Sequence, residues 1–295
     1  MTREPLVWFI TGASSGFGLS LTKILLARGD RVIATTRSVD KVKYLESESA
    51  SCKVLCLDVT SSFDEIQKVA DQALALWGRV DVVVNNAGFG APGIAEEAGH
   101  NGFMKQFSAN FFGVINVTNA FLPSLRRQKS GTIVIIGSRH AWKSQFPMTS
   151  AYASSKAAVH AYGEALSTEI AQFGLRVLLV QPGAHRTDVI TSAYANILLE
   201  TKIPDYEEMR EKGFARYANQ NGKQPGDALK AMQAVVDVVR GEGKAAGKEW
   251  PLWLVLGNDA EDDLRVHCEQ RLKNLEEWLD ITRSTTVDDG DVVLI

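Results

Sequence analysis

The chain has 295 residues, 45% of them hydrophobic, and its 32 basic and 35 acidic residues leave a formal net charge of -3. This length allows a large core in one α/β domain over residues 1–295, and the near-neutral charge without a basic stripe excludes the electrostatic footprint of a nucleic-acid-binding protein. Three scattered cysteines form no disulfide framework and no metal-ligand pattern, and no apolar run approaches the length of a membrane span, so we expect a cytoplasmic protein that holds no metal.

Short apolar or β-branched runs alternate with stretches of helical spacing along the chain. The alternation predicts an α/β fold with a doubly wound parallel β-sheet of about seven strands, flanked by helices on both faces. We predict strands at residues 6–10, 32–35, 54–57, 80–84, 132–136, 175–180 and 252–255. We predict helices at residues 16–28, 63–76, 103–127, 150–173, 228–240 and 261–279.

A glycine-rich loop, Thr11-Gly-Ala-Ser-Ser-Gly-Phe-Gly18, joins the first predicted strand to the first predicted helix. Glycine permits a tight turn and lets a phosphate approach the backbone, while the helix N-terminus offers free N–H groups. A plain turn is the alternative, but the strand before the loop and the helix after it favour a dinucleotide site. The residues expected to form it are Gly12, Ser14, Ser15, Gly16, Phe17 and Gly18.

The end of the second strand bears on the choice of cofactor. A fold that prefers NAD usually carries an acidic residue there to bind the ribose hydroxyls. This chain has Arg37 and no carboxylate at the strand end, and the planar fork of an arginine suits the 2′-phosphate of NADP(H). We therefore predict NADP(H) as the cofactor, with Asp40 as a helix cap; a merely solvated Arg37 is the alternative.

Further motifs follow in a fixed order: Asn85-Asn-Ala-Gly88 after the fourth strand, Asn110 in a long helix, Tyr152 with Lys156, and Pro182-Gly-Ala-His-Arg-Thr187 after the sixth strand. With the glycine loop, they resemble the short-chain dehydrogenase/reductase family over residues 6–187, and in particular the subgroup that holds the 17β-hydroxysteroid and retinol dehydrogenases. The resemblance implies a Rossmann-type fold and a homodimer or homotetramer. It also implies cofactor contacts from Asp58, Val59, Asn86, Ala87, Gly88, Tyr152, Lys156, Pro182, Gly183 and Thr187.

The pair of Tyr152 and Lys156 suits proton transfer, because residues four apart share one face of a helix. Reducing a carbonyl requires a proton for the developing alkoxide, and a phenol with an ordinary pKa near 10 is a sluggish base for the reverse reaction. An ammonium about 5 Å away would favour the phenolate by roughly 3 kcal/mol, so we expect Lys156 to lower the pKa of Tyr152. By the resemblance, Lys156 also binds the nicotinamide ribose and Asn110 completes a proton relay through a helix distortion and water.

Ser138 ends the fifth strand and is the expected donor that stabilises the substrate oxygen. The family usually places this serine thirteen residues before the tyrosine, whereas Ser138 stands fourteen before Tyr152 and Arg139 occupies the position at thirteen. Either the loop carries one inserted residue, or arginine has replaced the serine. The first interpretation is favoured, because a serine at the end of an apolar strand is where the family's serine belongs.

The neighbouring aromatic residues allow two interpretations each. His140 either contacts substrate or is a solvated loop histidine, and the latter is the more usual case. Trp142 and Phe146 either line an apolar pocket or pack in the core. His185 lies close to the expected nicotinamide position and is a candidate to face the substrate.

Residues 187–225 are polar, aromatic and only weakly periodic, so we expect a substrate-binding lid insertion there, although its apolar side chains also suit helices packed on the sheet. The C-terminal tail, 284–295, either frays or docks through residues 292–295. The resemblance predicts an NADPH-dependent carbonyl reductase, or the reverse alcohol dehydrogenase, acting on a bulky and mainly apolar ketone, aldehyde or secondary alcohol. The alternative is a catalytically inactive NADP-sensing or interaction protein, although such proteins typically lack the tyrosine or the lysine.

Overall fold

The computed structural model describes residues 4–187, 193 and 196–286. Seven parallel strands form one sheet in the order β3-β2-β1-β4-β5-β6-β7, which confirms the predicted doubly wound architecture. The strand order reverses between β1 and β4, and ligands of such sheets bind at the carboxyl ends of the strands beside this switch point. The strands are β1 Val7–Ile10, β2 Arg31–Thr36, β3 Cys52–Cys56, β4 Val82–Asn85, β5 Gly131–Ile136, β6 Leu175–Pro182 and β7 Trp253–Leu256.

Helices cover both faces of the sheet. They are α1 Gly16–Ala27, α2 Tyr44–Glu48, α3 Phe63–Trp77, α4 Ala95–Phe107, α5 Gly113–Gln128, α6 Ser150–Ala171, α7 Glu207–Gln220, α8 Ala228–Arg240, α9 Asn258–Glu277 and α10 Leu279–Ser284. The helix predicted at 103–127 is interrupted by a π-helical turn, Ser108–Phe112, and α7 lies in the segment 187–225, where a lid was expected and helices were the alternative. Within the described ranges, no helix combines the length and hydrophobicity needed to cross a bilayer.

The core lies in two layers, one on each side of the sheet. Side chains alternate across a strand, so Trp8 and Phe9, which are neighbours on β1, are fully buried in opposite layers. Because a parallel sheet is covered on both faces, its strands are apolar runs without alternation, as β1 and β4 show. The polar residues that follow these strands are therefore the first groups free to meet a ligand.

Helix α7 and the segment before it contact α4 through polar interactions. Arg210 of α7 forms a buried ion pair with Glu97 of α4, and the same carboxylate accepts a hydrogen bond from the backbone N–H of Ile203 at 2.8 Å. Tyr206 donates to Glu96 at 2.9 Å. These contacts set α7 over the carboxyl edge of the sheet. Most of the expected tail, 287–295, lies outside the described residues.

Candidate active site

The glycine loop after β1 forms a cradle of bare backbone. Gly12 and Gly16 have φ values of +67° and +50°, a region that favours glycine. A Cβ added at Gly18 would lie 2.7 Å from the side-chain nitrogen of Asn86, so a side chain there has no room. At the start of α1 no side chain caps the helix and the first turn holds no acidic residue. These first-turn N–H groups suit a dinucleotide pyrophosphate.

The segment after β4 holds this cradle in shape. The amide of Asn86 donates to the carbonyls of Thr11 and Gly12 at 2.8 and 3.0 Å, and the hydroxyl of Thr11 accepts from the backbone N–H groups of Asn86 and Ala87, both at 2.9 Å. Two sequence motifs that lie far apart in the chain are thus one hydrogen-bonded unit.

The segment after β6 approaches the glycine loop from the other side. A Cβ at Gly16 would lie 3.3 Å from Cβ of Thr187, and the ring of His185 meets Phe17 edge-on at 5.3 Å. His185 is buried in this contact and is absent from the cavity lining, so the structure does not place it as a substrate-facing group. Pro182 and Gly183 do border the cavity.

The residues expected around the adenosine half follow β2 and β3. Arg37 is exposed directly after β2 and makes no ion pair within the described part of the chain. Asp58 accepts two hydrogen bonds from Thr60, at 2.9 and 2.7 Å, while Val59 is buried beside Gly113. Asp40 lies in the first turn of a short 3₁₀ helix, Val39–Lys41, whose N-cap position belongs to Ser38 instead.

Ser138 and Tyr152 lie together on the lining of a cavity of about 780 Å³. Burial raises the pKa of Tyr152, while hydrogen bonding by the Ser138 hydroxyl and the positive charge of Arg139 act to lower it. Lys156 is buried and donates a hydrogen bond from Nζ to the carbonyl of Ile136 at 2.7 Å. Burial lowers the pKa of this lysine to about 8, so it is still mostly protonated at neutral pH.

The sign of the pKa shift at Tyr152 differs from the sequence-based expectation. The pKa stands above its ordinary value, because burial outweighs the two favourable contributions. The cation that lowers it is Arg139, whereas the ammonium of Lys156 is engaged by a backbone carbonyl of β5. Spacing on a helix placed the lysine on the correct face but did not reveal its hydrogen-bond partner.

Asn110 lies in the π-helical turn, so a helix distortion is present where the resemblance implied one. Its side chain accepts from the N–H of Phe89 at 3.0 Å and donates to the carbonyl of Phe89 at 2.9 Å and to the hydroxyl of Ser155 at 3.1 Å. It makes no direct hydrogen bond to Lys156, although both side chains lie beside Gly88.

A short 3₁₀ helix, Arg139–Ala141, lies directly after Ser138, in the segment that leads to Tyr152. The hydroxyl of Ser138 accepts from the N–H of His140 at 3.1 Å and so begins this turn. The guanidinium of Arg139 is held on α9 by Asp259 and Asp263, at 2.7 and 2.9 Å. Ser138 and Arg139 both line the cavity, and both contribute to the pKa of Tyr152, so the inserted-residue interpretation stays a prediction. The spacing of the two aspartates indicates a shared helix face, but nothing in the sequence identifies their partner.

His160 is a residue that the sequence reasoning missed. It is buried one turn after Lys156, and its Nε2 accepts the backbone N–H of Ser138 at 3.2 Å. Since a neutral imidazole that accepts at Nε2 carries its proton on Nδ1, the amide oxygen of Gln181 is the atom that suits the 3.3 Å contact to Nδ1. Burial and the charge of Lys156 lower the pKa of His160 to about 4, which keeps it neutral. Its position four residues after Lys156 was the only available signal.

His140 is packed against the site instead of being solvated. Its ring lies 5.5 Å from the ring of Tyr152 and 5.8 Å from that of Phe146. Burial, with the charges of Arg139 and Arg216, lowers the pKa of His140 to about 4. Phe146 lines the cavity, whereas Trp142 packs against His160. A large share of the cavity lining comes from α7, which forms what we call the α7 wall.

A parallel sheet with a glycine cradle at its switch point defines the class of dinucleotide-binding α/β proteins. The chain belongs to the short-chain dehydrogenase/reductase family of oxidoreductases, since the family described as short chain dehydrogenase matches residues 6–197. An oxidoreductase of Botryotinia fuckeliana, BOA17, is 33% identical over 94% of this chain and 97% of its own. Human retinol dehydrogenase 8 is 32% identical over 70% of this chain and 66% of its own.

Solved structures agree with this assignment. A short-chain dehydrogenase from Streptomyces avermitilis is 34% identical, with a TM-score of 0.82 over 96% of this chain and 100% of that one. A metagenomic short-chain oxidoreductase in complex with NADP is 30% identical, with a TM-score of 0.58 over 62% of this chain and 85% of that one. A Burkholderia phymatum family member was solved in complex with NAD; it is 20% identical, with a TM-score of 0.76 over the full length of both chains. A nicotinamide cofactor is therefore supported.

Proposed function

We propose that the chain is an NADPH-dependent carbonyl reductase, or the reverse alcohol dehydrogenase, for a bulky and mainly apolar ketone, aldehyde or secondary alcohol. The observation that carries the proposal is that Ser138 and Tyr152 lie together on the lining of a cavity of about 780 Å³. That volume suits a drug-sized ligand. The glycine cradle fits a dinucleotide, which supplies hydride chemistry when it is bound.

In this proposal the chain's own residues position the carbonyl group and transfer one proton to or from its oxygen. The hydroxyl of Ser138 donates to the substrate oxygen and stabilises the charge that develops there. Tyr152 gives its phenolic proton to that oxygen during reduction and takes it back during oxidation. The raised pKa keeps the phenol protonated at neutral pH, which suits the reductive direction. Lys156 binds the ribose, Arg139 supplies the positive charge that acts on Tyr152, and Asn110 fixes the backbone of Phe89 at the site's edge.

Arg37 is the basis for proposing NADPH over NADH. The side chain is exposed, follows β2 and has no ion-pair partner in the described part of the chain, so its donors are available to a 2′-phosphate. The NADP-bound oxidoreductase that is 30% identical supports the same choice, while the NAD-bound structure is more distant in sequence.

The test is NADPH oxidation with a panel of ketones and aldehydes, by wild type and by Tyr152→Phe. We expect the variant to lose at least about a hundredfold in kcat while its affinity for NADPH, measured by cofactor fluorescence, stays the same. Tyr162→Phe, on the same helix but outside the cavity, is the matched control and should keep its activity. Equal turnover by Tyr152→Phe and wild type would refute the mechanism. NADPH binding without turnover of any panel member would instead favour an NADP-sensing protein.

A further inference from the structure

The three cations of α7 differ in how their charge is compensated. Arg210 is paired with Glu97 and Glu207, and Lys212 is paired with Glu208 at 2.5 Å. The side chain of Arg216, one turn further on, makes no ion pair and no hydrogen bond with any residue of the described ranges. The guanidinium instead stacks on an aromatic ring: its central carbon lies 3.8 Å from the ring centroid of Phe146.

This stacking places the unpaired charge at the wall of the cavity. Arg216 and Phe146 both line it, and Phe146 packs beside His140, which itself meets the ring of Tyr152. A guanidinium stacked by its face keeps its edge N–H groups free, and that edge matches a carboxylate through two parallel hydrogen bonds. Its charge reaches the site, since it contributes to the lowered pKa of His140.

A second polar side chain that lines the cavity, Gln224, lacks a hydrogen-bond partner. Gln224 is 5% exposed, borders the cavity, and has no hydrogen-bond partner for either its amide nitrogen or its amide oxygen. Leaving a buried amide unpaired costs about 1–3 kcal/mol, and such groups call for an explanation such as a ligand. Lys223, the preceding residue, adds a cation without an ion pair among the described residues.

We propose that the part of the cavity lined by Arg216 is a carboxylate subsite and that the substrates are amphipathic oxo acids or the corresponding hydroxy acids. The carbonyl lies at Ser138 and Tyr152, the apolar body fills the space between, and the carboxylate binds the edge of Arg216 with Gln224 as a further donor. The subsite rests on the proposed function, because it specifies the substrate of the same cavity. It narrows the substrate class from apolar carbonyl compounds in general to those with an anionic head.

The test compares medium-chain ω-oxo fatty acids with their methyl esters, which keep the carbonyl and the chain but lose the charge. We expect wild type to prefer the acids in kcat/KM. In Arg216→Gln the acid-to-ester ratio should fall about tenfold or more, the range for a lost hydrogen bond to a charged group. Lys212→Gln removes an equal charge from the same helix, but one that Glu208 already neutralises, so the ratio should change much less. The subsite would be overturned if wild type preferred the esters. It would also be overturned if the acid-to-ester ratio of kcat/KM were the same in wild type and in Arg216→Gln.

A binding measurement separates this proposal from the proposed function. Decanoate and decanol are titrated by calorimetry into wild type and Arg216→Gln, with and without NADP. We expect decanoate to lose affinity relative to decanol in the variant, and equal losses for both ligands would overturn the subsite even if the enzyme is active. Failure of wild type to oxidise NADPH with any acid, ester or neutral ketone would refute the proposed function, whereas selective loss of decanoate binding would still support the subsite.

Discussion

The glycine loop and the α7 wall of the cavity are built on opposite principles. At the loop, backbone groups form the surface, and a Cβ at Gly12 or Gly18 would come within 2.9 Å of neighbouring atoms. At the α7 wall, side chains form the surface, and several of them are exposed. The shape of the glycine loop is therefore set by close backbone contacts, whereas the shape and charge of the α7 wall are set by its side chains.

This difference has a functional consequence. A surface made of backbone N–H groups recognises what all dinucleotides share, and few substitutions are compatible with it. A wall of side chains on a helix can change its charge and shape without altering the sheet, so substrate selection is the property expected to vary there. Substitutions in the two regions should therefore fail in different ways, with cofactor affinity affected in one and the ranking of substrates in the other.

Among the substitutions considered, we expect Gly18→Ala to have the largest effect, which is a loss of NADPH affinity. Alanine normally favours a helix, but here its Cβ would lie 2.7 Å from Nδ2 of Asn86 and 2.9 Å from Cα of Ala13, so the cradle must open. We expect NADPH affinity to fall at least about a hundredfold, from the displacement of several backbone donors. Fluorescence titration measures it, and circular dichroism checks folding.

The control for this change is Gly29→Ala. Gly29 has a φ of +83° and no atom within 4 Å of an added Cβ, so alanine there should cost about 1 kcal/mol of stability through backbone strain and leave NADPH affinity unchanged. If Gly18→Ala bound NADPH as wild type does, the cradle would not be the cofactor site.

A smaller effect is expected from Arg37→Ala. Losing a charge-assisted contact to the 2′-phosphate should reduce the preference for NADPH over NADH by about tenfold to a hundredfold, with little change in NADH affinity. The ratio of the two kcat/KM values measures this preference. Lys41→Ala removes another cation from the same loop region and should leave the ratio close to that of wild type. An unchanged ratio in Arg37→Ala would favour the interpretation of a solvated arginine.

The same comparison explains how much could be predicted from the sequence. The strands were predictable because both faces of the sheet are buried and leave apolar runs. The glycine loop was predictable because its backbone geometry restricts residue type locally. The pairing of Arg139 with Asp259 was not, because the two residues are distant in sequence and neither has a distinctive neighbour.

The position of helix α7 could not be predicted from the sequence for a related reason. Only Arg210 of its described side chains is buried, so no apolar stripe marks its period, and a buried ion pair with Glu97 takes the place of one. The direction of the pKa shift at Tyr152 was also beyond the sequence, since burial is a property of the whole packed site. Local rules therefore predicted the strands and the conformation of the glycine loop well, and the side-chain arrangement around the cavity poorly.

The smallest expected effect concerns the histidines behind and beside Ser138. Burial lowers the pKa of His160 and of His140 to about 4, against an unfolded value of about 6.5. The unfolded chain binds more protons between these two values, so the free energy of unfolding falls as the pH drops from 6.5 towards 4, by up to about 1.4 kcal/mol per pH unit for each histidine. At pH 5 each histidine should therefore lower the free energy of unfolding by about 2 kcal/mol relative to pH 7.

Urea unfolding at the two pH values measures this loss in wild type and in His160→Asn. The asparagine does not titrate and retains an acceptor for the N–H of Ser138, so we expect the pH-dependent loss to shrink by about 2 kcal/mol. His100→Asn, at an exposed position of α4, controls for the substitution itself. A loss in His160→Asn as large as in wild type would mean that His160 is not the neutral, buried acceptor that holds Ser138, and the positioning of the serine would then have to come from the 3₁₀ turn alone.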